Sequence, residues 1–485
     1  MALRGYTKLY DQASWWAAIN WTAVGRAVKR LQERIFKAMR DGNKHRAKEL
    51  MKLLARSESA KLLAVYKTTQ QNKGKVTPGI DGKIYLKPED REALSRESFD
   101  YRIWQFQPAL RRYIPKGKGI LPKRAMTTAE MRPLSIMTIK DRVMATILSF
   151  AMEAMWEAVL EPNVMGYRAG RCTQDAIQVI FKALSKGNPA ILDADIKSFF
   201  DTINHETILE KATCFRAIIG RALTAGIVED GRLTKTTHGI MQGSPLSPVL
   251  ANIALHGMER ELEATPGVVV VRYADDLVGI APTKRVMESK VVPALVQFLT
   301  PRGLSLKVEK TRIVTKKEGF DFLGFTMEQP RQKLFVKPRK KNVQGFLEHV
   351  RGIIRSNKQT EQRVLISLLN PVIDGWARYY QYSDAGRVFV RVDAAIWHAL
   401  WRWAKRRHPD KSRRWVLRRY FSKVGQKAWC FRDEKTGYAL RDTNAIKRKE
   451  YTFAVGSMSV LDRAWLGREA GYKRSIEESE HGEYQ

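Results

Sequence analysis

Between two short apolar runs, residues 268–272 and 277–281, the chain places Tyr273-Ala274-Asp275-Asp276. Runs so rich in Val, Ile and Leu read as strands, and the few residues between them leave room only for a tight hairpin turn. Two adjacent carboxylates on such a turn repel each other unless a cation lies between them. Asp is also a common turn residue, so an isolated pair reads first as a solvated turn. A second acidic strand shifts that balance. Leu192-Asp193-Ala194-Asp195 begins apolar and carries Asp195 at its end, 80 residues before Asp275. By strand alternation Asp193 shares a face with Asp195 and is the second candidate, and Asp201 is a nearby acid. Two strand-end carboxylate sites can converge on a pair of divalent ions.

Two Mg²⁺ about 3.5–4 Å apart would serve nucleotidyl transfer, by lowering the pKa of an attacking 3′-hydroxyl and neutralising charge on departing pyrophosphate. Mg²⁺ prefers a few carboxylates plus substrate phosphates to an all-protein cage, so a chain with only 8 His is suited to it.

Composition points to the partner. Of 485 residues, 86 are Lys or Arg and 50 Asp or Glu, a formal charge of +36 that favours a polyanion. Hydrophobic content of 44% supports sizeable cores and excludes disorder throughout. No apolar run approaches the roughly 18 residues that span a bilayer, and the N-terminus lacks a signal-peptide pattern, so no membrane partner and a cytoplasmic, nucleoid-associated location are expected. Cys172, Cys214 and Cys430 stand far apart and are expected as free thiols.

Apolar positions Trp21, Val24, Val28, Leu31, Ile35 and Met39 recur at helical spacing, predicting helices across 14–70 that stop at the breaker cluster 73–82. Strand-like and helical stretches then alternate to about 330, which suits an α+β domain with an antiparallel sheet. A basic, Pro-containing segment, 333–341, is expected to separate it from a helical region rich in Trp and Arg. Between 331 and 420, 22 Lys or Arg face 6 Asp or Glu. The expected divisions are 1–82, 83–330, 331–421 and a short tail, 422–485, whose acidic end at 477–485 is expected to fray.

From about residue 14 to 421 the chain resembles the group II intron-encoded reverse transcriptases and maturases. The resemblance rests on the ordered combination of the Asp195 strand, the Tyr273 to Asp276 turn and several further segments. It implies a right-hand polymerase fold of fingers, palm and helical thumb. It assigns Asp195, Asp275 and Asp276 as ligands of two Mg²⁺. Gly239 to Asn252 corresponds to the family's template and dNTP loop, in which Gly243 permits close backbone approach and Gln242 reaches the sugar; a helix start with Ser and Pro in its first turn explains part of it equally well. Met241 stands where the family more often has Pro. Phe200, five residues after Asp195, matches the aromatic that excludes a 2′-hydroxyl, with Phe199 expected in the core.

Arg132 and Lys116 match the family's triphosphate-binding segments, as bidentate Arg suits phosphate; residues 119–131 look like an insertion between them. Lys310, in Glu309-Lys310-Thr311, corresponds to the residue that would protonate pyrophosphate, or is a salt-bridged surface Lys. Phe322-Leu323-Gly324-Phe325 matches a further segment of the family.

Residues 369–380 and 401–409 resemble the maturase, or thumb, region, with Arg378, Arg402, Lys405, Arg406, Arg407, Arg413 and Arg414 as candidate RNA contacts. Trp376, Trp397 and Trp401 are expected to form helical core, leaving the Arg face functional. After Arg418-Arg419-Tyr420-Phe421 only Cys430 and His481 remain as soft ligands, too few for the HNH nuclease of many relatives. The resemblance implies group II intron RNA, a DNA target and primer, and dNTPs as partners. Alternatives are a domesticated relative in defence or repair, and an RNA-folding factor without polymerase activity, which intact Asp195, Asp275 and Asp276 argue against.

Overall fold

The computed structural model describes residues 14–115, 131–425, 427–451, 456 and 458–462. The described residues fall into two compact units, one drawn from 1–171, 192–312 and 454–467, the other from 172–191, 313–453 and 468–485. Lys116, most of the apparent insertion and the acidic end of the tail lie outside the described residues.

In the first unit, the helical N-terminal stretch consists of α1 (Ser14–Ala18), α2 (Trp21–Arg40), α3 (Lys44–Ala55) and α4 (Glu58–Tyr66). Asn20 and Asn43 start α2 and α3 by accepting from the amides of Ala23 and Arg46 at 3.0 and 2.9 Å, satisfying N–H groups that the first turn leaves orphaned. Val28, Ile35 and Phe36 of α2 are buried. These helices pack on α5 (Ile139–Glu157), which is buried round nearly its whole circumference, the pattern of a core helix. Arg142 of α5 is itself buried and donates to the carbonyls of Met137, Gly74 and Thr77 at 2.9, 2.9 and 2.7 Å. The breaker cluster is thereby pinned to the core through its backbone. A further buried helix of this unit is α6 (Ser247–Leu255).

The strands of this unit are β1 (Ala109–Pro115), β2 (Met131–Ile136), β3 (Ala190–Asp195), β4 (Ile227–Glu229), β5 (Arg232–Thr234), β6 (Val269–Tyr273) and β7 (Asp276–Ala281). One sheet runs β2-β1-β4-β5, with β1 and β2 antiparallel and Ile114 opposite Arg132. In another, β7 lies between β6 and β3. The antiparallel hairpin β6–β7 closes on the pair Tyr273 and Asp276, as the two apolar runs predict.

In the second unit, β8 (Phe320–Phe322), β9 (Phe325–Glu328) and β10 (Phe335–Pro338) form an antiparallel sheet with β9 in the centre. The basic segment expected as a separator is therefore strand: Val336 pairs with Met327, and Pro338 ends the edge, where a missing N–H costs nothing. The helices α7 (Lys340–Ser356), α8 (Gln362–Tyr380), α9 (Gly386–Arg407) and α10 (Arg413–Tyr420) follow. Tyr379 and Tyr380, ending α8, donate to the carbonyls of Leu323 and Gly324 at 2.9 and 3.1 Å, and Phe325 stacks on Tyr379. This docking joins the β8–β10 sheet to the helices, and the stretch 313–453 lies within one compact unit.

Leu365, Leu369, Ile373, Val392, Ile396, Leu400 and Trp403 make the core of these helices, with Trp376, Trp397 and Trp401 half-buried against it. Two antiparallel strands, β11 (Phe421–Val424) and β12 (Lys427–Phe431), bring Phe421 and Phe431 into the same cluster, and Leu440 packs on it. The helix Thr173–Leu184 also belongs to this unit, where Gln174 donates to the Tyr379 carbonyl at 3.0 Å. No helix among the described residues is long and apolar enough to cross a membrane.

Candidate active site

Asp275 and Asp276 sit where two strands turn through two residues. Ala274, the first central residue of that turn, has φ +57° and Asp275 does not share the positive φ, the pattern of a type II′ hairpin turn. Alanine holds this backbone at a cost, and the surroundings supply the constraint. The Met165 amide donates to the Arg272 carbonyl at 2.8 Å. A Cβ on Gly166 would fall 2.3 Å from the Ala274 nitrogen, so only glycine lets this segment lie against the turn.

Arg272, one residue before Tyr273, is completely buried in β6. Its guanidinium pairs with the equally buried Glu259, donates to Asn252 at 3.0 Å and reaches the Ala274 carbonyl at 3.4 Å. Asn252, on α6, donates in turn to the Gly166 carbonyl at 3.0 Å. A buried network thus fixes the turn from behind. Sequence reasoning missed it, although an Arg inside an otherwise apolar strand is the signal: such a charge needs a buried partner.

Asp195 ends β3, the neighbour of β7. Burial raises the Asp275 carboxyl and the charge of Asp195 adds to this, while Arg132 and Lys310 pull it down. Loss of surrounding water, then Asp275 and Asp195, pushes Asp276 up to about 6, although the residue keeps a solvent-exposed side. Three carboxylates therefore act on one another across a small space. Lys310 forms an ion pair with Asp195 and is held above the usual lysine range by that hydrogen bond. The Asp195 carbonyl also accepts from the Lys307 amide at 2.8 Å. Asp193, the competing acid, is paired with Arg312 at 3.1 Å.

Hard oxygen donors repelling one another, with one ammonium among them, are a donor set suited to Mg²⁺. Among the described residues no three His, Cys, Asp or Glu side chains are drawn together as a finished metal cage. Asp195, Asp275 and Asp276 are the residues that would hold the ions.

Around them, Arg132 is exposed on β2 and its charge reaches Asp275. Gln242 is half-buried, and its carbonyl accepts from the Ser135 amide at 2.7 Å. Gly243 has φ +103°, a backbone that L side chains rarely adopt, and lies against β2, where a Cβ would stand 3.2 Å from the Ser135 carbonyl oxygen. The same stretch does start a helix, with Pro248 in the first turn of α6. Phe199 is buried and Phe200 half-buried. Tyr167, which sequence reasoning did not single out, meets Phe200 edge to face. Its phenol is raised by burial and by the charge of Asp275.

In the second unit, Arg402, Lys405, Arg406, Arg413 and Arg414 are exposed and Arg378 is half-buried. Arg407 differs: it donates to the Lys358 and Thr360 carbonyls at 3.0 and 2.9 Å and lies over the Trp403 ring. Its Nη1 group is committed to the fold.

Comparison with known proteins bears on both units. The model of the N-terminal domain of reverse transcriptase matches 16–97, that of reverse transcriptase (RNA-dependent DNA polymerase) matches 114–327, and that of the group II intron maturase-specific domain matches 343–421. A maturase-like protein 1 of Euglena gracilis is 28% identical over 388 residues, covering 77% of this chain and 79% of that protein. The group II intron-encoded protein LtrA of Lactococcus lactis subsp. cremoris is 30% identical over 202 residues, 40% of this chain and 32% of its own. A telomerase structure from Candida albicans aligns at TM-score 0.38 and 12% identity over 66% of this chain and 62% of that one. Three models are thus matched in one order along an α+β chain, and the chain is similar to the group II intron reverse transcriptases and maturases.

Proposed function

We propose that this chain copies RNA into DNA by two-metal nucleotidyl transfer, and that it binds a group II intron RNA, assists its splicing and supports retrohoming by target-primed reverse transcription. What carries the reading is that Asp195, Asp275 and Asp276 stand at neighbouring strand ends, where the charge of Asp195 helps raise both Asp275 and Asp276. When bound, two Mg²⁺ would activate the primer 3′-hydroxyl and neutralise the departing pyrophosphate.

The chain's own residues do the rest. Arg132, and Lys116 with it, neutralise the triphosphate; a bidentate guanidinium matches phosphate geometry. Phe200 packs beneath the deoxyribose and leaves no room for a 2′-hydroxyl. Gln242 and Gly243 line the nucleotide beside β2. Lys310, protonated on Asp195, is placed to hand a proton to pyrophosphate. Arg402, Lys405, Arg406, Arg413 and Arg414, with Arg378, bind intron RNA, while the DNA target and primer are taken at the polymerase site.

The test is primer extension on an RNA template beside filter binding. Asp275→Ala and Asp276→Ala should each abolish dNTP incorporation and leave RNA affinity nearly unchanged, because these groups hold metal and not template. Full-rate synthesis by either variant would sink the assignment.

A further inference from the structure

Tyr167 is an aromatic residue at φ +61°, 44% exposed, in a segment that is otherwise fastened on both sides. Before it, Met165 is bonded to Arg272 and Gly166 is pressed against the metal-binding turn. After it, Arg168 is buried, pairs with both carboxylate oxygens of Glu157 at 2.9 Å, and donates to the carbonyls of Glu161 and Val164 at 2.8 and 2.9 Å. A left-handed backbone costs a bulky residue about 1–3 kcal/mol and persists only where its surroundings over-determine it. Here the constraint turns one ring outward. That ring stands edge to face with Phe200, centroids 6.4 Å apart and planes at 83°. Phe200 meets the buried Phe199 on another side at 5.3 Å and 80°.

An aromatic that excludes a 2′-hydroxyl works only if its ring cannot swing away, because a gap of one oxygen atom decides the selection. Phe199 limits Phe200 from the core. The strap limits it from the open side, and the same strap touches the Asp275 turn through Gly166. We infer that Tyr167 is a specificity-determining residue of the nucleotide site: it fixes the Phe200 ring and ties the sugar wall in register with the metal-binding turn. The inference rests on the reading of Phe200 as the sugar gate.

The experiment measures kcat and KM for matched dNTP and rNTP on an RNA template, for the full chain, together with thermal melting. The variants are Tyr167→Ala, Tyr167→Phe, Phe200→Val and the double variant Tyr167→Ala with Phe200→Val. Tyr167→Ala should raise the rNTP to dNTP ratio of kcat/KM about tenfold, the scale on which one small group is discriminated, chiefly through a lower KM for rNTP. Tyr167→Phe keeps the ring and should keep the wild-type ratio. The double variant should be no less selective than Phe200→Val alone, since both changes release the same ring. If Tyr167→Ala melts early, Tyr167→Gly replaces it, because glycine takes this φ without strain.

If Phe200→Val moves the ratio and the Tyr167 variants do not, the inference is overturned and the gate reading stands. If the two effects simply add, Tyr167 acts apart from Phe200 and the inference is likewise overturned. If no variant moves the ratio, Phe200 is not the gate and both readings fall.

Discussion

Cys172 and Arg272 show how differently a buried polar side chain can be used. Burial, then the charge of Asp175, pushes the Cys172 thiol up to about 12, and the described cysteines are free of disulfides, as their spacing predicts. Since the thiolate is the nucleophile, Cys172 in the folded protein should resist iodoacetamide at pH 8 and react once the chain is unfolded. Mass-spectrometric mapping of alkylation decides this; rapid native labelling would contradict the burial. Arg272 must keep its charge, and does so against Glu259. Removing one partner of so buried a pair costs about 3–5 kcal/mol, so Arg272→Met should melt well below the wild type. Arg272→Met with Glu259→Leu should recover part of that stability and little polymerase activity, because the Ala274 carbonyl and the Asn252 side-chain oxygen lose their donor. Recovery of both would show that the network serves folding alone. The neighbouring strand-end positions of Asp195, Asp275 and Asp276 were legible in the sequence because an apolar strand ending in Asp is a local pattern. Glu259, Asn252, Gly166 and Tyr167 were not, since only the folded chain brings them to the turn.

Among the elements, α9 and α10 carry the densest basic surface. Arg406, Arg413 and Arg414 are exposed, whereas Arg407 caps backbone carbonyls. Substituting Gln at the three exposed positions, with Arg407 retained, should weaken RNA binding and reduce the slope of log affinity against log salt by about 2, at roughly 0.7 per phosphate contact on single strands. Arg407→Gln should instead lower stability and leave the slope nearly unchanged. Affinity measured across a salt series, with melting curves, separates the two; an unchanged slope in the triple variant would remove these residues from the interface. The helical periodicity of 14–70 could be read from sequence, because it follows a 3.6-residue repeat, and Trp376, Trp397 and Trp401, expected in a helical core, are half-buried against one. The strand at Phe335–Pro338 could not, since basic residues and a proline hide an edge strand behind the composition of a linker.

At the scale of the whole molecule, the maturase match ends at 421 while the packing does not. Phe431 and Leu440 belong to the helical cluster, Asn370 donates to the Ala439 carbonyl at 3.1 Å, and Arg441 pairs with Asp374 at 2.6 Å. A chain cut after Phe421 should therefore expose apolar core, lose melting temperature and aggregate, whereas one cut after Glu450 should retain the helical cluster. Equal stability of the two would show that the β12 strand and the residues beyond it are dispensable.

The order in which the chain visits its two units has a consequence for its birth on the ribosome. Thr173–Leu184 emerges early, but its partners Tyr379 and Tyr451 are made some two hundred residues or more later. The first unit is also finished late: Arg171 waits for the carbonyls of Gly456 and Met458. Neither unit can close while the nascent chain is half made, so translation must proceed with apolar faces uncovered for most of its length. That is the circumstance in which general chaperones bind. Yield of active protein should then depend on the speed of elongation more steeply than for a chain whose units are contiguous.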